Sequence, residues 1–284
     1  MLQLKELFHS NMQLKCIDFF AGIGAWELAS NYANLICSQV QFRTIEFIEI
    51  NPQAQKVLRS HFPEIPIYPD IRSYNAIPHK ADVHFISFPC TGTSAAGTKT
   101  GLAHFESNLW FEALRCIVIG RPTFVVIENP AGVIDRGLRA VVAGLSLAGY
   151  EVEIEIVSAS ELGAPHERQR VFVIAYADNL ALQQRKGWIC WSESLGTDIE
   201  TARKIGARSE IKPSFMSVDA RIPSYLAGVH YENWWRMNPP PVNPGLKRRT
   251  PGRREAINLV GRSIVPLQAF VALMRVQFLA NLIE

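Results

Sequence analysis

The stretch DVHFISFPC, residues 82–90, decides how this chain folds. Val83 to Phe88 is an apolar run of strand length that stops at Pro89. Such a run reads as a buried strand passing into a loop. Cys90 then stands on a loop at the carboxyl end of that strand, where open α/β sheets place their chemistry. A thiol there is a candidate nucleophile. On the amino-terminal side, Leu14 to Phe20 and Thr44 to Ile50 are predicted strands, and Ile65 to Tyr68 a short one. Ala25 to Ala33 is a predicted helix after a Gly-rich turn. Pro52 opens another through Arg59, since Pro suits a first helical turn. Beyond Cys90, Leu109 to Ile119 and Leu138 to Ala148 read as helices. Thr123 to Ile127 reads as a strand ending at Glu128, and Val152 to Val157 and Val171 to Tyr176 as two closing strands. Strands alternating with helices at this spacing predict a mostly parallel, doubly wound α/β sheet.

Residues 1–178 are thus expected to form one large domain. From 179 to about 233 the chain is polar without clear periodicity, with Trp188, Trp191 and Tyr225 among Lys and Arg, and reads as a separate small region. Pro239-Pro240-Pro241 marks a rigid extended connection. Pro266 to Ile283 is apolar at helical spacing, so the last segment, 234–284, is expected to pack back onto the first domain.

No stretch approaches the roughly 20 apolar residues that span a bilayer, and Met1-Leu2-Gln3-Leu4-Lys5 lacks a signal-peptide pattern, so a soluble cytoplasmic protein is expected. Five cysteines, Cys16, Cys37, Cys90, Cys116 and Cys190, are scattered without a CxxC pair, which argues against a zinc site or disulfide framework. Cys16 and Cys116 lie in apolar runs and are expected to pack as small hydrophobes. The net charge of +3 is small, but Lys247, Arg248, Arg249, Arg253, Arg254 and Arg262 crowd one stretch. A local basic cluster suits a polyanion, and a solvated surface run is the plainer explanation.

Asp18-Phe19-Phe20-Ala21-Gly22-Ile23-Gly24 follows the first strand and opens a helix, a place where glycines let a ligand approach the positive helix end. Tight-turn glycines without a ligand would give the same pattern. The next strand ends at Glu49, a carboxylate able to take both hydroxyls of a ribose, or simply a surface Glu. Asp70-Ile71 can present a carboxylate and an apolar edge to an adenine. Together these three places describe an adenosine-type ligand across the first strands. Glu128-Asn129-Pro130 ends another strand, and partial burial of Glu128 would raise its pKa and help it hold a proton. A helix-capping Glu-Asn pair in a turn is the alternative. Arg168 and Arg170 alternate along an expected extended segment, which would turn both to one face as a cationic clamp or as salt-bridged surface arginines.

In this order the parts resemble the DNA cytosine-5 methyltransferase family. The resemblance runs from about Leu14 to Tyr176 and from Trp234 to Ala272. It is carried by DFFAGIG (18–24), FIEINPQAQKVLRSHFPEIPIYPDI (47–71), FPC (88–90), GTKTGL (97–102), ENP (128–130), GAPHERQR (163–170) and GRSIVP (261–266). It implies a Rossmann-like S-adenosylmethionine-dependent methyltransferase fold. The cofactor, S-adenosylmethionine, would be cradled by Phe20, Gly22 and Gly24, with Glu49 on its ribose and Asp70 and Ile71 on its adenine. Phe88, Leu109 and Ser263 match further cofactor-side positions. Cys90 would attack C6 of a cytosine flipped from double-stranded DNA, Glu128 would hydrogen-bond N3 and the exocyclic amine, Arg168 would contact the base oxygen, and Arg170 would support the site. Lys247, Arg248, Arg249, Arg253 and Arg254 would contact phosphates, and the 179–233 region would occupy the place of a target-recognition domain. No metal is implied. A monomer is expected, with a cognate restriction endonuclease as a candidate partner.

The chain departs from the family pattern at Thr91 after the nucleophile, Ala25 at the cofactor turn, Glu106, His166, and Arg262 in the last motif. Cys90, Glu128 and Arg168 match it. Those departures keep a second function open, a DNA-binding homologue that no longer methylates. A nicotinamide-dependent oxidoreductase would also use a GxG turn and an acidic strand end, but leaves Cys90, Glu128 and the paired arginines unexplained.

Overall fold

The computed structural model describes residues 12–89, 109–164, 167–206, 259 and 263–283. Its strands are β1 (Met12–Phe19), β2 (Val40–Ile48), β3 (Ile67–Tyr68), β4 (Val83–Ile86), β5 (Phe124–Pro130), β6 (Tyr150–Val157) and β7 (Arg170–Ala177). Among the described residues they form a seven-stranded sheet in the order β3-β2-β1-β4-β5-β7-β6. The strands from β3 to β5 in that order are parallel, while β7 runs antiparallel to both β5 and β6. Strand order reverses between β1 and β4, so the carboxyl ends of these two flank the switch point where such sheets bind ligands.

Every residue of β4 is buried, because strands cover both its edges and helices both its faces. That is why its sequence reads as a continuous apolar run rather than an alternation. The exception proves compatible: His84 is 1% exposed, and burial pushes its pKa down to about 3, so it packs as a neutral ring against Phe19.

The helices are α1 (Ala25–Ile36), α2 (Pro52–His61), α3 (Leu109–Gly120), α4 (Val133–Arg136), α5 (Leu138–Leu147), α6 (Trp191–Gly206) and α7 (Pro266–Asn281). Asn51 caps α2 by accepting from the backbone N–H groups of Gln53 and Ala54, and Pro52 fills the first turn. On one face of the sheet, α1, α6 and α7 cover Phe85, Val126, Phe172 and Ile174. On the other, α3 and α5 cover Ile86, Val125, Ile127 and Val173. Cys16 and Cys116 are fully buried in these two cores.

Two expectations change. Residues 191–206 form a regular helix where the sequence shows no clear period. Its buried positions, Trp191, Asp198, Ala202, Ile205 and Gly206, make a narrow stripe that includes an acid. α6 is packed into the same core as α7. Arg275 of α7, fully buried, makes a two-toothed ion pair with Glu153 of β6 and donates to the Ile189 carbonyl, while Glu153 accepts from the Trp191 N–H. Removing one partner of such a pair costs about 3–5 kcal/mol. The rest of the 179–233 region, from 207 onward, lies outside the described residues. Second, β5 runs through Pro130, so Glu128 and Asn129 are strand residues and not a helix-capping turn. No helix among the described residues is long and apolar enough to cross a membrane.

Candidate active site

The turn after β1 reverses in left-handed backbone at Phe20, Gly22 and Gly24, with φ of 62°, 56° and 86°. Two of the three are glycines, which take that region without the Cβ penalty. Gly24 is also tightly packed: a Cβ there would come within 2.7 Å of the Phe62 ring and 3.2 Å of Leu58 on α2. At Gly22 a Cβ would meet only the Phe20 carbonyl oxygen, at 4.0 Å, so the space above that glycine is open.

Glu49, just past β2, faces this turn. Its carboxylate accepts from the Gly22 N–H at 2.7 Å and the Asn51 N–H at 2.6 Å, and the Gln55 amide donates to its carbonyl at 2.6 Å. Burial raises the Glu49 pKa, against those backbone donors. Below it Asp18 is fully buried with neither carboxyl oxygen hydrogen-bonded, and burial, then Glu27 and Glu49, push its pKa well up. Phe20, Gly22, Gly24 and Glu49 are thereby brought together.

Asp70 and Ile71 lie at the carboxyl end of β3. Ile71 is buried, and its carbonyl accepts from Arg115 of α3 at 2.8 Å; the same guanidinium donates to the Tyr74 carbonyl at 3.2 Å. Arg115 thus fixes the turn that carries both residues, a role its place in an apolar helical run does not announce. Asp70 accepts from the Arg72 backbone and guanidinium, and Arg72 lowers its pKa. Phe88 is 2% exposed, its ring 5.7 Å from that of Trp110, beside Leu109 at the start of α3.

The second cluster surrounds Glu128, which is 6% exposed on the α1 and α7 side of the sheet. Arg170 sits diagonally across the β5–β7 pair, its Nε 2.7 Å from Glu128 Oε1. Burial raises the Glu128 pKa, while Arg170, Arg168 and the Ser87 hydroxyl oppose the rise. Ser87 in turn accepts from the Trp26 indole N–H at 3.0 Å. Next along β5, the buried Asn129 amide donates to the Phe88 carbonyl at 3.0 Å, so the ENP strand end fastens the FPC loop.

Arg170 pairs with the Glu128 carboxylate and Arg168 acts on it through its charge, but the two do not alternate along an extended segment. β7 begins only at Arg170, and Arg168 has φ of 29°. Its guanidinium donates to the Ser263 carbonyl at 2.6 Å. Ser87, Trp26 and Arg115 belong to the site's support and carry no motif of their own, whereas Asn129 stands within ENP. Cys90, Thr91, Glu106, His166, Arg262 and the basic residues Lys247, Arg248, Arg249, Arg253 and Arg254 lie outside the described residues. Among the described residues no group of three or more His, Cys, Asp or Glu could hold a metal ion.

The chain is 32% identical over 167 residues to the type II methyltransferase M.CviJI of Paramecium bursaria Chlorella virus IL3A, covering 58% of this chain and 43% of that protein. It is 30% identical over 172 residues to the type II methyltransferase M.DsaV of Dactylococcopsis salina, covering 58% and 46%. The matched stretch therefore spans less than half the length of these relatives. Among solved structures, the S. pombe Dnmt2 methyltransferase superposes with a TM-score of 0.50 at 19% identity, over 65% of this chain and 54% of that one, a likeness of fold. The family described as C-5 cytosine-specific DNA methylase matches residues 14–218, through the whole sheet from β1 to β7, and to that family this chain belongs.

Proposed function

We propose that this chain transfers a methyl group from S-adenosylmethionine to C5 of a cytosine in double-stranded DNA. The observation that carries the reading is Glu128: a buried carboxyl with its pKa raised, ion-paired to Arg170 and under the field of Arg168, fastened through Asn129 to the loop that leads into Cys90.

The first cluster fits the cofactor. Each Glu49 oxygen accepts one backbone N–H, and a carboxylate has about four lone-pair sites, so acceptors remain for both ribose hydroxyls. Ile71 offers the apolar edge, and the open side of Gly22 admits a ligand close to the backbone. Asp70 is already taken up by Arg72, which must yield for an adenine amine to be accepted there. When bound, S-adenosylmethionine supplies an electrophilic sulfonium methyl. Phe20, Gly24, Phe88, Leu109 and Ser263 complete the proposed cofactor side.

On the base side, the Cys90 thiolate adds to C6, which makes C5 nucleophilic; after C5 takes the methyl it loses its proton and the thiolate leaves by elimination. Splitting the reaction this way replaces one hard step with easier ones. Glu128 holds a proton at N3 and accepts from the exocyclic amine, and Arg168 meets the base oxygen. The thiolate is the attacking form. The base must leave the stack, at a cost of a few kcal/mol. Lys247, Arg248, Arg249, Arg253 and Arg254 fit phosphate contact, which makes affinity fall with salt. The 179–233 region, anchored through α6, fits target recognition, and the type II names of the relatives support a restriction endonuclease acting on the same site.

The test uses labelled S-adenosylmethionine and duplexes carrying 5-fluorocytosine in many sequence contexts. A covalent protein–DNA complex is expected, absent in Cys90→Ala. DNA binding without any trapped complex would instead establish a homologue that binds and does not methylate.

A further inference from the structure

We propose that Gln268 is a positioning residue for Arg168, its side-chain amide locking the arginine's backbone from the first turn of α7. This rests on the base-side role given to Arg168 above.

Gln268 is fully buried between Leu267 and Ala269, on a helix whose other core positions are almost all apolar. A buried amide is costly unless its hydrogens find acceptors. Both do: Nε2 donates to the Val157 carbonyl at 2.7 Å and to the Arg168 carbonyl at 2.8 Å. Val157 ends β6, and Arg168 lies two residues before β7. One amide therefore ties the two sides of the connection that carries the arginine. The preceding carbonyl, of Glu167, is held from elsewhere, by the Ala159 N–H at 2.8 Å and the Ser158 hydroxyl at 2.5 Å. Two successive carbonyls fixed by different partners leave the intervening backbone little freedom.

That constraint has something to hold. Arg168 is a non-glycine residue at φ 29°. Such conformations are strained and persist only where the surroundings over-determine them. The segment leading into α7 also takes the other end of the residue, because the Ser263 carbonyl accepts from the guanidinium. The start of α7 thus grips Arg168 at backbone and side chain together. If filling the core were the whole requirement, an aliphatic side chain would serve at 268 without leaving an amide oxygen buried and unpartnered, as Gln268 Oε1 is.

Gln268→Met keeps length and removes both donors. Five quantities are compared with the unsubstituted protein: affinity for S-adenosylhomocysteine, steady-state KM for DNA, single-turnover methyl transfer, trapping on 5-fluorocytosine DNA, and hydrogen exchange. Transfer and trapping are expected to slow by about ten- to hundredfold, as for a group displaced by about 1 Å, with KM for DNA and S-adenosylhomocysteine affinity within about threefold. Exchange is expected to quicken at residues 167–170 and stay unchanged along α7. Where the methionine variant does not fold, Gln268→Asn serves with the same expectations, since its amide is one methylene too short to span both carbonyls. Transfer at the unsubstituted rate overturns the proposal, as does slowing accompanied by equal loosening of α7. If the unsubstituted protein traps no DNA, the proposed function fails, and the exchange measurement still decides whether Gln268 holds Arg168.

Discussion

Ser87, just past β4, stands beside Glu128 of β5, one step beyond the paired Ile86 and Ile127. The serine hydroxyl has two demands on it: the Trp26 N–H is donated to its oxygen at 3.0 Å, and its own hydrogen favours the carboxylate form of Glu128. Burial works against that form, and the two arginines work for it. In Ser87→Ala the Glu128 pKa should therefore rise further, and the protonated acid should persist to higher pH. In the pH profile of single-turnover methyl transfer, the limb carried by Glu128 is expected to move upward in pH. The Trp26 N–H also loses its acceptor, which should lower stability by about 1–3 kcal/mol. A pH profile superimposable on that of the unsubstituted protein would remove Ser87 from the electrostatics of the site and leave it a packing residue.

Between elements, the Phe20–Gly24 turn depends on how closely α1 and α2 approach. Gly24 begins α1 in left-handed backbone with no side-chain cap, and its missing Cβ is what lets Phe62 and Leu58 close on it. Gly22 needs the same backbone region but has room for a Cβ. Gly24→Ala should thus lose more stability than Gly22→Ala in denaturant titrations, with strain of about 1–3 kcal/mol common to both and the α2 clash added only at 24. Equal losses would mean that α2 shifts freely and that the packing at Gly24 is unimportant. The same elements show what the sequence makes legible. β4 announces itself because it is buried on every side, and α2 because Asn51-Pro52 carries its own start signal. α6 does not, because most of its surface is solvated and its buried stripe is thin. Glu128 at a strand end is legible from the apolar run before it, whereas its pairing with Arg170 across β5 and β7 and the turned backbone of Arg168 are not: that backbone is held by Gln268 and Ser263, about a hundred residues away in the chain, and no local pattern encodes a contact of that range.

Taken over the whole molecule, acids buried in and beside the sheet hold their protons more tightly than usual. Asp18, Glu27, Glu49 and Glu128 all have raised pKa values, with burial the largest cause in each. Just above the ordinary carboxylate range the folded protein therefore binds more protons than the unfolded chain. Stability falls as pH rises through that window, and the loss is complete above the folded-state values. Asp18 is the clearest contributor, since it is fully buried and neither oxygen has a hydrogen-bond partner. Asp18→Asn keeps the shape of the protonated acid and cannot ionise. Its stability should decline less steeply as pH rises above the ordinary carboxylate range, by at most about 1.4 kcal/mol per pH unit within the window where Asp18 alone differs between the two states. Chemical denaturation of both proteins at several pH values reads this directly. Parallel curves would mean that Asp18 is ionised in the folded protein, and that a counter-charge or bound water satisfies it beneath the Gly22–Glu49 turn.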